Sequence, residues 1–284
     1  MHAVWNGHGA SRLIARIRLG KSEFRIDLAR PISLAIEINF LGDEPRHFGA
    51  PRASSEPMAV EGFSGSVSSG ASCNCRTITL TPHCNGTHTE CAGHLTKDLL
   101  EAHRVIPAGL LPAYLVSLAP ETASATQETS DPAPQPEDKV ITRRALEQAL
   151  PATVSPDTRA IVVRTLPNDM KKRRHDYTGE NPAYFTREAI ELLVERKIEH
   201  LVADLPSIDR SHDEGKLTAH RTFFGMPADA RELSKASRPQ CTITELAYIP
   251  DTAADGAYLL EIQAPALGGD AVPSKPLLYT LRPP

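Results

Sequence analysis

The chain lacks what a membrane, a polyanion or an oxidising compartment would demand. It has no run of about 18 apolar residues, so a bilayer-spanning helix is excluded. Cations are not in excess: 31 Lys and Arg stand against 35 Asp and Glu, a net charge of −4, which gives nucleic acid no electrostatic footprint. Aromatic residues are only 5% of the chain and Trp5 is the single tryptophan, so a base-stacking platform is also missing. Arg12, Arg16 and Arg18 surround Leu13, Ile14, Ile17 and Leu19, but no long apolar core with a small-residue cleavage site follows, and secretion is not expected. Five cysteines are an odd number in a chain of 284 residues, which is too long to need disulfide staples. Reduced thiols and a cytoplasmic setting are the expectation.

What is present reads as a mixed α/β chain. Residues 1–23 are taken as an N-terminal extension, and 24–284 as one domain. Phe24–Leu28 and Ile32–Ile38 alternate apolar with polar at period two and are separated by Pro31, the pattern of half-buried strands. Between Gly42 and Ser72, short strands joined by loops are expected, and Arg76–Leu80 is β-branched and alternating. A helix is expected over Leu95–Val105 and a strand over Tyr114–Leu118. Residues 119–138 are almost wholly Pro, Ser, Thr, Ala, Glu, Gln and Asp, and read as a disordered surface insertion. Thr142 caps a short helix to Leu150, and Thr186 caps a stronger one, Arg187–Lys197, with Ala189, Ile190, Leu193 and Val194 on one stripe. Ala160–Val163 and His200–Asp204 are apolar runs of the kind covered on both faces, so this half predicts βαβ crossovers.

The chemistry is concentrated in Thr81–His94, which holds three histidines, one carboxylate and two thiols in a turn-rich stretch at a strand end. These are the ligand types of borderline divalent metals. In extended backbone, residues two apart share a face, so His88 and Glu90 can converge on one ion. Gly86 permits a tight turn, and His94 beyond Gly93 is a third ligand or a base. Ordinary loop histidines are the bland alternative. A four-thiolate zinc site of Cys73, Cys75, Cys84 and Cys91 is the other, although paired CxxC knuckles are missing. The basic run Lys171–Arg174 followed by His175 reads as a solvated loop.

Gly86-Thr87-His88, then Glu90 and His94, resemble the His-x-Gly-Thr-His-x-Asp-x-Pro-x-His motif of the bacterial cyclase family that includes kynurenine formamidase and isatin hydrolase. Cys84 stands where that motif has its first histidine, with His83 just before it; Glu90 replaces Asp, and Ala92-Gly93 lacks the Pro. Asp27-Leu28 with Pro31-Ile32, Asp204–Asp209, His220, Glu245 and Gly268–Pro273 resemble further family segments, so the likeness runs from about residue 24 to 281. The resemblance implies a swivelling β/β/α domain. It implies that His88, Glu90, His220 and Glu245 bind a divalent metal, zinc first and manganese as the alternative, with Cys84 or His83 completing the set. It also implies that His94 is the catalytic acid/base.

Such parts suit hydrolysis of a small amide, formamide or lactam. An ion with an open position lowers the pKa of its water from about 15.7 toward 7, and a histidine near pKa 6.5 can carry the proton to the leaving nitrogen. The expected partner is a small-molecule substrate; no nucleic acid or membrane is expected, and a homo-oligomer is compatible with the sequence. Two other classes stay open: a member that keeps the fold and metal without turnover, and a metal-free partner-binding protein.

Overall fold

The computed structural model describes residues 12–151 and 155–284. A nine-stranded mixed sheet forms its centre: β1 (Ile32–Ser33), β2 (His88–Cys91), β3 (Leu111–Leu118), β4 (Ala160–Thr165), β5 (His200–Ala203), β6 (Thr242–Glu245), β7 (Gly256–Gln263), β8 (Ala271–Pro273) and β9 (Lys275–Thr280). Their spatial order is β8-β2-β6-β5-β4-β3-β7-β9-β1. The middle strands β3, β4, β5 and β6 are parallel, and the flanking strands join antiparallel. Parallel neighbours need crossovers, and the helices supply them: α2 (Arg143–Ala149) precedes β4, α3 (Arg187–Glu195) precedes β5, and α4 (Thr218–Phe224) precedes β6. A one-turn helix, α1 (Ala102–Val105), follows β2.

The apolar runs that suggested doubly covered strands are buried along their length. Alternation then sorts their side chains between two cores. Ile161, Val163, Leu201, Ala203 and Ile243 pack with Leu146, Ile190, Leu193 and Phe223 from the helices. Val162 and Val202 face the other way, onto Leu34, Leu115, Ile249, Leu260 and Leu278. Thr142 and Thr186 cap α2 and α3, their hydroxyls accepting from the N–H of Ala145 and Ala189 at 3.0 and 3.1 Å.

Several expectations are corrected. The boundary at residue 23 cuts through a hairpin, Ile14–Leu19 with Ser22–Asp27, whose Ile26 is buried with Leu259, Leu277 and Tyr279; Met1 to Ser11 lie outside the described residues. The second expected strand is cut short at Ser33; Leu34 still donates its N–H to the Pro276 carbonyl at 2.9 Å and accepts from the Tyr248 N–H at 2.8 Å, and its side chain enters the second core. The expected helix over Leu95–Val105 shrinks to a 3₁₀ turn at Ala92–Leu95 and the four residues of α1. Arg76–Thr79 is a strand, but it pairs with Ser54–Pro57 away from the main sheet.

The segment 119–138 is not a disordered insertion. Glu121 and Thr122 pair with Val140 and Lys139, and the Glu128 carboxylate accepts from the N–H groups of Arg143 and Arg144 and from the Thr186 hydroxyl. A segment poor in large apolar groups is thus ordered by charge-assisted capping of two helices. Removing a cap of this kind costs about 1–2 kcal/mol, so Glu128→Ala should lower unfolding stability by that amount, measured by denaturant titration. No change would mean that the contacts are not held in solution.

His200 at the start of β5 is buried and shares a hydrogen bond with the Thr242 hydroxyl of β6 (2.9 Å). Burial, aided by Arg159 and Arg238, pushes its pKa down to about 4. The unfolded chain therefore takes up this proton first as pH falls from about 6.5, and the native state resists it until about 4. Stability from this group is full above pH 6.5 and is lost on acidification through that window. His200→Gln should flatten the fall in melting temperature between pH 6.5 and 4, and an unaltered slope would assign the acid sensitivity elsewhere.

No helix among the described residues is long and apolar enough to cross a membrane.

Candidate metal centre

The site forms where β2 is added to the edge of the parallel strands. Its antiparallel register sets His88 opposite Glu245 and Glu90 opposite Ile243, while β8 on the other side sets Ala271 opposite Glu90. Asp270 consequently arrives beside the motif. His220 comes from α4, whose first turn is held by Asp209: its carboxylate accepts from the N–H of Ala219 at 2.6 Å and of His220 at 3.1 Å. Gly86 has φ +72, and a Cβ there would stand 2.9 Å from Ile38, so the turn into β2 needs glycine.

Three imidazoles share one arrangement. His88 Nδ1 donates to the Gly86 carbonyl at 3.1 Å, leaving Nε2 bare and 3.4 Å from Glu245 Oε2. His220 Nδ1 donates to Asp209 Oδ2 at 2.6 Å, leaving Nε2 bare, 2.7 Å from Glu90 Oε1 and 3.6 Å from Glu245 Oε1. His83 donates from Nε2 to Asp270 Oδ2 at 2.7 Å, and its Nδ1 lies 2.9 Å from Glu90 Oε2. With one proton fixed on the outer nitrogen, the inner nitrogen is the one that faces the carboxylates, and it is the one that a cation would deprotonate and bind.

Glu90 is fully buried, and neither of its oxygens has a hydrogen-bond partner; His88 Nε2 and His220 Nε2 have none either. These atoms are close without the alignment of donor and acceptor. That is unfavourable for polar groups alone and suits a shared cation. Burial opposes the charge on Glu90, but the imidazoles of His220 and His94 outweigh it and hold the carboxyl well below its usual range. The same exchange acts on His220: burial disfavours its charge, yet Glu90 and Asp209 raise its pKa well above the ordinary value. Two sets of donor atoms lie within 4.8 Å of one another, His88–Glu90–Glu245 and His83–Glu90–His94. Glu245 is further fixed by the Ile208 N–H at 2.7 Å.

The structure thus brings His88, Glu90, His220 and Glu245 together, although more than a hundred positions separate the two pairs. His94 donates from Nδ1 to Asp270 Oδ2 at 3.2 Å, with its ring 4.2 Å from that of His83 and 5.5 Å from that of His220. Cys84 is buried nearby, its thiol pushed up by burial and by the charge of Glu245. The four-thiolate arrangement does not form: Cys73 is exposed, Cys75 rests against Met58 and Cys91 donates to the Leu100 carbonyl at 3.2 Å.

Two residues of this neighbourhood escaped the sequence. Asp270 belonged to a Gly-Gly-Asp segment whose role no spacing disclosed. His47 is almost fully buried, with Nε2 3.4 Å from the Ser211 hydroxyl and its pKa lowered by burial. It lines a cavity of about 280 Å³ with Phe48, Thr178, Ser211 and His212. Nor is the basic run wholly solvated: Lys172 turns inward and donates to Asp204 Oδ2 at 2.9 Å and to the Thr165 carbonyl at 2.6 Å, tying the ends of β4 and β5.

A buried carboxylate among bare imidazoles, mounted beside a parallel sheet, is the pattern of a cation-assisted enzyme site. Residues 26–210 match the family model described as "Putative cyclase", and the chain belongs to that family. Its fold is similar to that of a predicted metal-dependent hydrolase from Bacillus stearothermophilus, at 16% identity and a TM-score of 0.56, covering 88% of this chain and 98% of the other. It is also similar to isatin hydrolase A from Labrenzia aggregata bound to benzyl benzoate, at 15% identity and a TM-score of 0.57, covering 88% and 93%. An isatin hydrolase bound to the product analogue thioisatinate aligns at 15% identity and a TM-score of 0.52 over 82% and 83%. No curated protein matches the chain.

Gly93 tests the local geometry. A Cβ there would stand 2.5 Å from the Leu100 carbonyl and 3.1 Å from Asp270 Cβ, so Gly93→Ala must displace backbone. A loss of about 1–3 kcal/mol in denaturant unfolding is expected, as for overpacking elsewhere. An unchanged midpoint would mean that the Leu100 carbonyl and Asp270 do not approach this closely.

Proposed function

We propose that the protein is a metal-dependent hydrolase of the cyclase family that uses an activated water on a small amide, formamide or lactam in the cytoplasm. The observation that carries this reading is Glu90: a fully buried carboxylate with no hydrogen bond, faced by bare nitrogens of His88 and His220. In this reading His88, Glu90, His220 and Glu245 hold one divalent ion, with His83 or Cys84 adding a further donor. Imidazole and carboxylate donors accept both zinc and manganese, and zinc is preferred, more so if Cys84 joins.

A bound ion would supply Lewis acidity to the carbonyl and acidify a water at neutral pH. The chain's own residues do the rest. Asp209 and the Gly86 carbonyl keep the protons of His220 and His88 on their outer nitrogens, and the Ile208 N–H keeps Glu245 turned inward. Asp270 holds the proton of His94 on Nδ1, so that Nε2 can accept a proton from the attacking water and return it to the leaving nitrogen.

His94→Ala should lower turnover about 10²–10⁴-fold and leave metal content intact, because a general acid/base contributes on that scale. His88→Ala should lose metal and activity together. Metal content by elemental analysis, beside rates on a panel of amides, formamides, lactams and esters, separates the cases. Release of metal from His94→Ala would make His94 a ligand and move the base elsewhere. A metal-loaded protein inert across the panel would favour a member that binds without turnover.

A further inference from the structure

We propose that His83, and not Cys84, supplies the remaining protein donor of the cation site, and that Asp270 is the residue positioning it for that task. This rests on the metal-dependent reading above. Register with the family motif alone selects Cys84, which occupies the place of the first motif histidine. Geometry selects its neighbour. The His83, Glu90 and His94 donor atoms lie within 4.8 Å of one another, and His83 Nδ1 stands 2.9 Å from Glu90 Oε2.

The two ring nitrogens of His83 face different partners. An imidazole binds a cation through its unprotonated nitrogen, and a carboxylate on the other nitrogen fixes that tautomer while making the ligand more basic. His83 has this layout: Nε2 donates to Asp270 Oδ2 at 2.7 Å, and Nδ1 stands 2.9 Å from a Glu90 oxygen that has no hydrogen-bond partner. His88 and His220 show the same division of their two nitrogens, so His83 is a third imidazole turned toward the buried carboxylates: His83 toward Glu90, His88 toward Glu245 and His220 toward both. Its ring is braced by His94, 4.2 Å away and also bound to Asp270 Oδ2. Gly93 leaves the space that Asp270 needs, its position being where a Cβ would stand 3.1 Å from Asp270 Cβ. A motif imidazole replaced by a thiol is thus offset by an imidazole one residue earlier, aimed from outside the motif.

The test is Zn²⁺ affinity of the full chain, by competition with a chromogenic chelator, for wild type, His83→Ala, Cys84→Ser, Asp270→Asn and Asp270→Glu. Loss of a positioning carboxylate typically costs 10–100-fold in metal affinity, so Asp270→Asn should fall by about that factor, His83→Ala by at least as much, and Asp270→Glu by less. Cys84→Ser should bind as wild type, and the Co²⁺-loaded wild type should show no thiolate-to-cobalt charge-transfer band. Melting curves of the metal-free variants exclude misfolding, and because Asp270→Asn preserves shape it decides the matter if His83→Ala does not fold. A charge-transfer band that vanishes in Cys84→Ser, or full affinity in Asp270→Asn, overturns this assignment and leaves the metal-dependent reading standing. A wild type that binds neither Zn²⁺ nor Co²⁺ overturns both.

Discussion

Everything in the site depends on one unfavourable placement, the carboxylate of Glu90 in a fully buried position without a hydrogen-bond donor. Burying a carboxylate costs several kcal/mol even after relaxation, and the positive charge that offsets it here comes from the imidazoles of His83 and His220 at 2.9 and 2.7 Å, or from a cation that they would share. The surrounding architecture serves that offset. Pairing β2 to β6 sets His88 against Glu245, pairing β8 to β2 delivers Asp270, and Asp209 at the start of α4 turns His220 inward. Each imidazole commits its N–H to an outer oxygen and presents its other nitrogen to the interior.

How much of this was legible in the sequence follows from the range of each cause. Continuous apolar runs disclosed β4 and β5, because burial writes itself directly into residue type. Thr142 and Thr186 disclosed helix starts, since capping is local. The reading failed at 119–138 because it equated missing apolar bulk with disorder; Glu128 and its backbone partners provide order through charge and hydrogen bonds instead. It overran beyond Leu34, where the chain leaves the β9 edge after the Leu34 N–H has bonded to Pro276 and passes to Tyr248 and Thr87 instead.

The site divides in the same way. His83, Cys84, His88, Glu90 and His94 crowd into one segment and were visible as a cluster, whereas His220 and Glu245 entered only through family resemblance. Which nitrogen of each ring is free could not be read at all, because it depends on Gly86, Asp209 and Asp270 acting from three different parts of the chain. His47 was invisible for a related reason: nothing in Pro45–Gly49 separates a buried imidazole from a loop one, and its burial arises from Phe48, Tyr177 and Ser211.

The central claim is that Glu90 is buried in order to meet a divalent cation. Thermal unfolding of wild type and Glu90→Gln, each after chelation and again with Zn²⁺ in excess, tests it most directly. An ion bound only by the native state at about 100 times its Kd stabilises by about 2.7 kcal/mol, or roughly 5–10 °C for a chain of this size. The account expects that rise in wild type and its absence in Glu90→Gln. Equal rises in both proteins, or none in either, would contradict it.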